Sequence, residues 1–348
     1  MKNRRIGGED LSQRVRAIAL LSGGLDSVLA ATIVKRASID VVGLSLRLFG
    51  NDEAKTQRVI LESSRKLNVP VRVVDLSNKQ LEVVKHPKHG YGAGVNPCID
   101  CRILMLEEAL HVMKEEKAQF VVTGEVVGQR PMSQHRHMLD TIQIESGLGD
   151  RLLRPLSANL LADTLPVKQG WLSKTELYSI SGRGRQEQVR LAQKFGITHY
   201  SQSAGGCILT DKVYAARVRD SFLHVGKEVM GMDEFTILRY GRHFRISDRA
   251  KLIVGRNEEE NNTLLGFTEG RYKIEPIDIM GPLGLLEGRP TKDDLLLAAR
   301  IVARYCDHEG ALPVALSVSY DETVRRLQIP PLSKDDPRIA DWRIEHNP

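Results

Sequence analysis

The sequence predicts an α/β protein: a parallel-sheet domain followed by a smaller α+β domain. Three observations predict it. Short β-rich runs alternate with amphipathic helical segments over roughly the first 200 residues, the pattern of strands joined by helical crossovers. A Ser-Gly-Gly turn joins the first such run to the first helix. Past residue 220 the chain changes to short, basic β-like pieces.

Each element has its reason. Arg16–Leu21 (RAIALL) is short and apolar, a buried strand, and Leu25–Arg36 has helical apolar spacing. Val41–Phe49 is β-rich, Asp52–Leu67 is amphipathic and helical, and Val71–Leu76 is a third strand. His86–Asn96 is rich in Gly, His and Pro and reads as a loop. Ile99–Glu116 is a helix, and Phe120–Thr123 is a buried strand ending in Gly124-Glu125. Leu152–Leu156 (LLRPL) is one more strand; Lys174–Ser181 and Gln186–Phe195 are helices. Residues 212–256 hold ten Lys/Arg against five Asp/Glu, and Glu234–Tyr240, His243–Ser247 and Lys251–Val254 read as β pieces. A strand (Tyr272–Pro276), a helix (Thr291–Cys306), a strand (Leu312–Val318) and an extended tail from Pro330 complete the chain. The expected domains are a lead-in over 1–15, the parallel-sheet domain over 16–225, a basic α+β domain over 226–330 and a tail over 331–348.

Composition excludes several classes. With 348 residues, 41% hydrophobic and 27% charged, the chain can bury its cores without staples. Fifty Lys/Arg against 44 Asp/Glu is a mild positive balance, compatible with a nucleic-acid partner. No apolar run approaches the ~18 residues of a membrane span. The charged start, Met1–Gln13, lacks the apolar stretch of a secretory signal. Four cysteines are no disulfide framework. The expectation is a cytoplasmic protein with reduced thiols, no membrane partner and scope for a homodimer.

Ser22-Gly23-Gly24-Leu25-Asp26-Ser27 carries the first chemical signal. Glycines let the backbone turn tightly and approach a ligand. Backbone N–H groups at the following helix start, with two serine hydroxyls, offer an anion site. Asp26 among phosphates would be repelled without a cation, which points to Mg²⁺. The plain alternative is a strand-to-helix turn with no ligand. GxxxxGK[ST], GxGxxG and GxSxG do not fit this loop.

Cysteines carry the second signal. Cys98-Ile99-Asp100-Cys101 precedes a helix, and Cys207 follows Ala204-Gly205-Gly206. Cys98, Cys101 and Cys207 could ligate a [4Fe–4S] cluster with one iron open. They could instead handle sulfur as a persulfide resolved by a second thiol. Zn²⁺ would need a fourth ligand from His86, His89 or Asp100. Cys306 reads as a buried helix residue.

SGGLDS after a strand resembles the SGGxDS signature of PP-loop ATP pyrophosphatases. That resemblance implies an adenine nucleotide alpha hydrolase-like fold, with ATP on Ser22–Ser27 and adenylation of a substrate carbonyl with release of pyrophosphate. Val121–Gln134 (VVTGEVVGQRPMSQ) followed by LLRPL resembles the PP-loop domain of the 4-thiouridine synthases over residues 16–210. The resemblance implies Gly124 beside the nucleotide and Cys207 as the sulfur-handling thiol. The three-cysteine pattern is instead similar to that of iron–sulfur tRNA thiolases. The chain departs from the 4-thiouridine synthases in leaving no room for ferredoxin-like and THUMP modules ahead of Ser22, and no rhodanese module is visible.

Arg239-Tyr240-Gly241-Arg242-His243-Phe244-Arg245 is basic with aromatics interleaved, and LIVGRNEEENN (Leu252–Asn262) follows. The latter is similar to the NFACT-R RNA-binding module, in which a hydrophobic strand ends in GRN. Arg239, Arg242, Arg245 and Arg256 are then expected to pair phosphates, with Tyr240 and Phe244 stacking bases; a solvated hairpin with core aromatics is the alternative. Glu125 is read as a helper near the nucleotide or a salt-bridge partner, and Gln129 and Arg130 as facing ligand.

The expected function is ATP-dependent thiolation of a tRNA uridine, 4-thiouridine ahead of 2-thiouridine. Sulfur would come from a donor such as a cysteine desulfurase or from free sulfide. Two alternatives stay open: a PP-loop sulfur transferase or ligase on a small molecule, and a non-catalytic RNA-binding protein with a metal or cluster. Asp26, Cys98, Cys101 and Cys207 are the catalytic candidates.

Overall fold

The computed structural model describes residues 14–50, 53–198, 200–201, 206–308, 310 and 312–345. Most of the expected lead-in, Ala204-Gly205 and the last three residues of the tail lie outside these. The chain divides into two units, one of residues 1–90 and 97–205, the other of 91–96 and 206–348.

In the first unit, β1 (Arg16–Leu20), α1 (Leu25–Arg36), β2 (Asp40–Arg47), α2 (Glu53–Leu67) and β3 (Val71–Asp75) alternate as the sequence predicts. They are followed by α3 (Ser77–Lys85), α4 (Cys98–Glu115), β4 (Phe120–Val122), α5 (Arg136–Glu145), β5 (Leu152–Leu153), α6 (Leu165–Lys168) and α7 (Gln186–Lys194). The sheet is parallel throughout, in the order β3-β2-β1-β4-β5. β1 lies inside it and is buried on both faces. Ala17 and Ala19 enter a core built with α1, while Ile18 and Leu20 enter one built with α4. That is why RAIALL reads as an unbroken apolar run.

The second unit comprises α8 (Lys212–His224), α9 (Met232–Ile237), β6 (Arg242–Ser247), β7 (Ala250–Val254), α10 (Glu258–Leu264), β8 (Tyr272–Pro276), β9 (Gly284–Gly288), α11 (Lys292–Arg304), β10 (Val314–Tyr320), β11 (Thr323–Ile329) and α12 (Arg338–Trp342). Its strands form an antiparallel sheet in the order β11-β10-β8-β9-β7-β6. Leu252, Val254 and Leu286 pack with α11 on one face. Ile253 and Leu285 meet Ile237, Leu264 and Leu283 on the other.

Several expectations are corrected. Lys174–Ser181 is not an α-helix; only Lys174–Glu176 makes a short 3₁₀ turn. The rest is drawn out by the segment after β5, because Tyr178 N–H donates to Pro155 O (3.0 Å) and Ile180 N–H to Leu156 O (2.8 Å). LLRPL forms a strand over Leu152–Leu153 alone; Pro155 has no N–H to continue a ladder. Glu234–Tyr240 is not a β piece: α9 ends at Ile237, and Glu234 caps it by accepting the Gly231 N–H (2.8 Å). The tail from Pro330 contains α12 rather than being extended throughout. Cys306 lies two residues past α11 rather than in it.

The division between the units falls at Gly205/Gly206, so α8, which the sequence reading placed in a domain ending at 225, belongs to the second unit. Tyr91–Asn96 joins it there. Val95 N–H donates to Leu209 O (2.9 Å), and Gly94, at φ +66°, sits so close that a Cβ would lie 2.3 Å from the same oxygen.

Candidate active site

The strand order of the first unit places the site. The chain runs outward from β1 to β2 and β3, then returns on the other side of β1 as β4. The segments leaving the carboxyl ends of β1 and β4 therefore part, opening the crevice where such sheets bind ligands. After β1 comes Ser22–Ser27; after β4 comes Thr123-Gly124-Glu125.

The loop closes on its own hydroxyls. Gly23 adopts φ +74°, a conformation suited to glycine. Ser27 Oγ donates to Gly24 O (2.8 Å) and accepts the Ser22 N–H (3.3 Å). Gly24 is the N-cap of α1 and no side chain caps that end, so the first N–H groups of the helix stay available to an anion. Gly124 touches the loop: a Cβ there would stand 2.4 Å from Asp26 C and 2.6 Å from Ser27 N. Its lack of a side chain is what lets the end of β4 meet the start of α1.

Ser22, Asp26, Ser27, Arg102, Gly124 and Gln134 are among the residues lining a cavity of about 130 Å³. Asp26 Oδ2 accepts from Gln129 Nε2 (3.1 Å), and Arg185 Nη2 lies 3.7 Å away. Asp26 Oδ1 and Gln134 Oε1 are buried with no hydrogen-bond partner among the described residues. A carboxylate oxygen left unmatched beside an anion-receptive loop is a suitable Mg²⁺ ligand.

Behind this crevice is a buried ion cluster. Glu125, 3% exposed, receives Arg154 Nε at 2.9 Å and Thr123 Oγ1 at 3.2 Å, with Arg102 Nε 3.2 Å from its other oxygen. Burial pushes the Glu125 carboxyl toward protonation, but the two guanidinium groups outweigh it and hold its pKa below the usual value. Arg154 is itself 2% exposed and also donates to Gln143 Oε1 and Leu139 O. The sequence reading missed Arg102 and Arg154. Spacing could have found Arg102: Cys98, Arg102 and Met105 recur at i, i+4 and i+7, one face of α4, and the last two line the crevice.

No disulfide joins the four cysteines. Cys98 Sγ lies 3.7 Å from Ser133 Oγ, and Cys101 Sγ is 3.7 Å from the Gln80 amide. Cys207, in the second unit, is exposed and caps a 3₁₀ turn through its carbonyl, which accepts Thr210 N–H and Oγ1. Among the described residues no three His, Cys, Asp or Glu side chains are grouped to hold a metal ion. Within the first unit, Cys98 and Cys101 form no such group with His86, His89 or Asp100; Cys207 belongs to the second unit. Burial pushes the Cys306 thiol up to about 11, which leaves it inert.

His89 ties its loop to α4. Its Nδ1 lies 2.6 Å from Asp100 Oδ1, its N–H donates to Asp100 Oδ2 (3.0 Å), and Nε2 is 3.3 Å from Glu145 Oε1. The Asp100 hydrogen bond and the charges of both carboxylates raise the His89 pKa. A raised folded value means that this contribution is complete below ~6.5 and fades as pH climbs through the folded value. Urea midpoints of the wild type are accordingly expected to fall relative to those of His89→Gln as pH rises above that point. Parallel profiles would remove His89 from this role.

In the second unit the expected RNA contacts are largely spent internally. Arg245 forms two hydrogen bonds to Asp220 (2.6 and 3.0 Å). Arg242 donates to Gly255 O and lies over the Tyr305 ring. Arg256 is clamped on Glu260, and Arg239 lies over Tyr240. Phe244 is fully buried and cannot stack a base. The GRN run is a structural device: Asn257 caps α10 by accepting the Glu260 N–H, and Asn261 Oδ1 accepts the Leu283 N–H. Gly255 leaves the room for Asn261, whose oxygen would stand 2.0 Å from a Cβ.

Residues 12–159 match the family model described as thiamine biosynthesis protein (ThiI). That match spans β1 to β5 of the first unit, including the Ser22–Ser27 loop and Gly124. Residues 241–343 match the family model described as NFACT protein RNA binding domain. A tRNA-specific 2-thiouridylase MnmA of Xanthobacter autotrophicus is 32% identical over 146 residues, 38% of this chain and 37% of that protein. The MnmA of Rhizobium leguminosarum bv. trifolii is 24% identical over 299 residues, 76% of this chain and 69% of that protein. The chain thus matches little more than a third of the length of the first of these relatives. A 4-thiouridine synthetase in complex with RNA and bound ATP aligns at 20% identity over 53% of this chain and 52% of that one; at a TM-score of 0.35 it adds no argument. Among the described residues no helix is long and apolar enough to cross a membrane.

Proposed function

We propose that the chain thiolates a tRNA uridine at the expense of ATP. The observation that carries this reading is the crevice at the ends of β1 and β4, where Asp26 Oδ1 stands without a partner beside the uncapped start of α1. Ser22, Gly23, Gly24, Leu25 and Ser27 would cradle the phosphates, with Gly124 allowing the close approach. Asp26 would hold Mg²⁺, which supplies charge neutralisation as pyrophosphate departs. A uridine carbonyl oxygen attacks the α-phosphorus; the new O–P bond forms as the bond to pyrophosphate breaks. Arg102, which lines the crevice while paired to Glu125, would add positive charge near the phosphates. The target base must leave its stack to reach the loop.

Sulfur delivery is assigned to Cys207. As a persulfide, its outer sulfur attacks the adenylated carbon and the C–O bond to AMP breaks. One equivalent of an external thiol then cuts the S–S bond and frees the thiocarbonyl, and a second restores Cys207. The persulfide comes from a sulfur donor such as a cysteine desulfurase. The TGE…GQ…SQ…LRPL run favours 4-thiouridine over 2-thiouridine as the product.

The test is a tRNA transcript incubated with ATP, Mg²⁺ and a persulfide donor, with pyrophosphate and digested nucleosides measured together. Wild type is expected to release pyrophosphate and form a thiouridine whose position the nucleoside analysis identifies. Cys207→Ser is expected to keep tRNA-dependent pyrophosphate release and lose thiolation by more than about 10³-fold. Full thiolation by Cys207→Ser would remove the sulfur role. Absence of tRNA-dependent pyrophosphate release in the wild type would overturn the reading altogether.

A further inference from the structure

The second unit holds a larger cleft, about 600 Å³, on the sheet face opposite α11. Register explains its floor. Arg245 pairs with Lys251 across β6 and β7, and Lys251 with Glu287 across β7 and β9, so these three side chains form a row on one face. Lys251, 2% exposed, reaches Glu287 at 2.9 Å and Ser221 Oγ at 3.2 Å; Arg271 reaches Glu287 at 2.8 Å. Arg245 is held by Asp220. Every charge of the floor therefore has an opposite partner.

The rim is different. Arg249 and Arg289 come together where Arg289 N–H donates to Arg249 O (2.8 Å) beside Gly288, at φ +101°. Both side chains are exposed; Arg249 is near enough to Asp294 for its charge to help lower that carboxyl's pKa. Asp248 is exposed beside them, while Glu234 is occupied in capping α9. Apolar side chains also line the cleft: Val225 is 46% and Val229 66% exposed, and Met230 is buried.

We propose that this cleft binds an unpaired RNA nucleotide, its phosphate on Arg249 and Arg289 and its base against Val225 and Val229. The assignment rests on reading the second unit as an RNA-binding domain and identifies the surface it uses. Two exposed guanidinium groups and exposed apolar side chains lining one cleft match an anion joined to a flat apolar ring, and the volume lies within the ~300–1,000 Å³ of small-ligand sites. It also accounts for the other arginines of this region: those expected to meet RNA are bound to carboxylates, carbonyls and rings, and the two on this rim are exposed.

The test uses the full chain and a fluorescently labelled single-stranded oligoribonucleotide, titrated at several salt concentrations. The double variant Arg249→Ala/Arg289→Ala is expected to bind about tenfold more weakly. Its slope of log affinity against log salt should be smaller by about 1.4, since each single-strand phosphate contact carries ~0.7. Val229→Glu, at an exposed position, is expected to weaken binding as well. Thermal midpoints check that both variants fold. Unchanged affinity and slope in the double variant, with wild type binding RNA, would overturn the cleft and leave the RNA-binding reading standing. No RNA binding by wild type would overturn both. Better competition by a phosphopeptide than by unlabelled oligoribonucleotide would overturn RNA as the occupant.

Discussion

Glu125→Gln is expected to cost about 3–5 kcal/mol of folding stability, the usual penalty for removing one partner of a buried ion cluster. The substitution keeps the volume, so the loss is electrostatic. Arg154 is 2% exposed and would keep its charge with no carboxylate against it. Arg102 would lose the same anchor. Because the Glu125 pKa is lowered in the folded protein, its contribution is fully present above ~4.5 and fades only as pH falls through the folded value. The penalty should therefore be flat between pH 6 and 8, read from urea unfolding of the full chain. A loss below about 1 kcal/mol would mean that Arg154 is solvated in the folded state. Glu125→Ala would add a cavity to the same loss and should be worse.

Gly124→Ala is the second large effect, on activity rather than on stability. The added methyl would collide with the backbone of Asp26 and Ser27 at 2.4–2.6 Å, and backbone cannot swing aside as a side chain can. The first turn of α1 must shift, and with it the loop proposed to hold ATP. A misplacement of about 1 Å at a reacting centre costs roughly 10²-fold, so tRNA-dependent pyrophosphate release should fall by at least that factor while the domain still folds. Release at the wild-type rate would show that the crevice is not where the nucleotide is activated. The two variants separate the roles of adjacent residues: Gly124 gives room to the loop, and Glu125 holds the ion cluster behind it.

Much of the first unit was legible because its signals are local. β1, α1 and α7 read correctly from periodicity, and SGGLDS marked the turn. Gly124 could be named from the family resemblance, although why it must be glycine shows only against the backbone of Asp26. Lys174–Ser181 misread because its helical propensity lost to hydrogen bonds with Pro155 and Leu156, partners about twenty residues away. β11 escaped notice because its residues are mostly exposed, so no alternation marks it. Arg242, Arg245 and Arg256 misled in another way. A basic run looks the same whether its charges meet phosphates or internal carboxylates; Asp220 decides the matter for Arg245 from α8, and Glu260, four residues along the same run, decides it for Arg256.

By itself the sequence determined the α/β alternation, the loop built for an anion and the basic character of the region after residue 220, since each follows from neighbouring residues. Tertiary structure alone decided three further things. Strand order brought the loop after β1 and Gly124 after β4 to one crevice. Burial joined Glu125, Arg154 and Arg102 into one cluster. Register aligned Arg245, Lys251 and Glu287 on the floor of the cleft, with Arg249 and Arg289 exposed at its rim. The physical reason is common to all three: charge pairing and steric contact depend on distance in space, and most of these partners lie on elements distant along the chain.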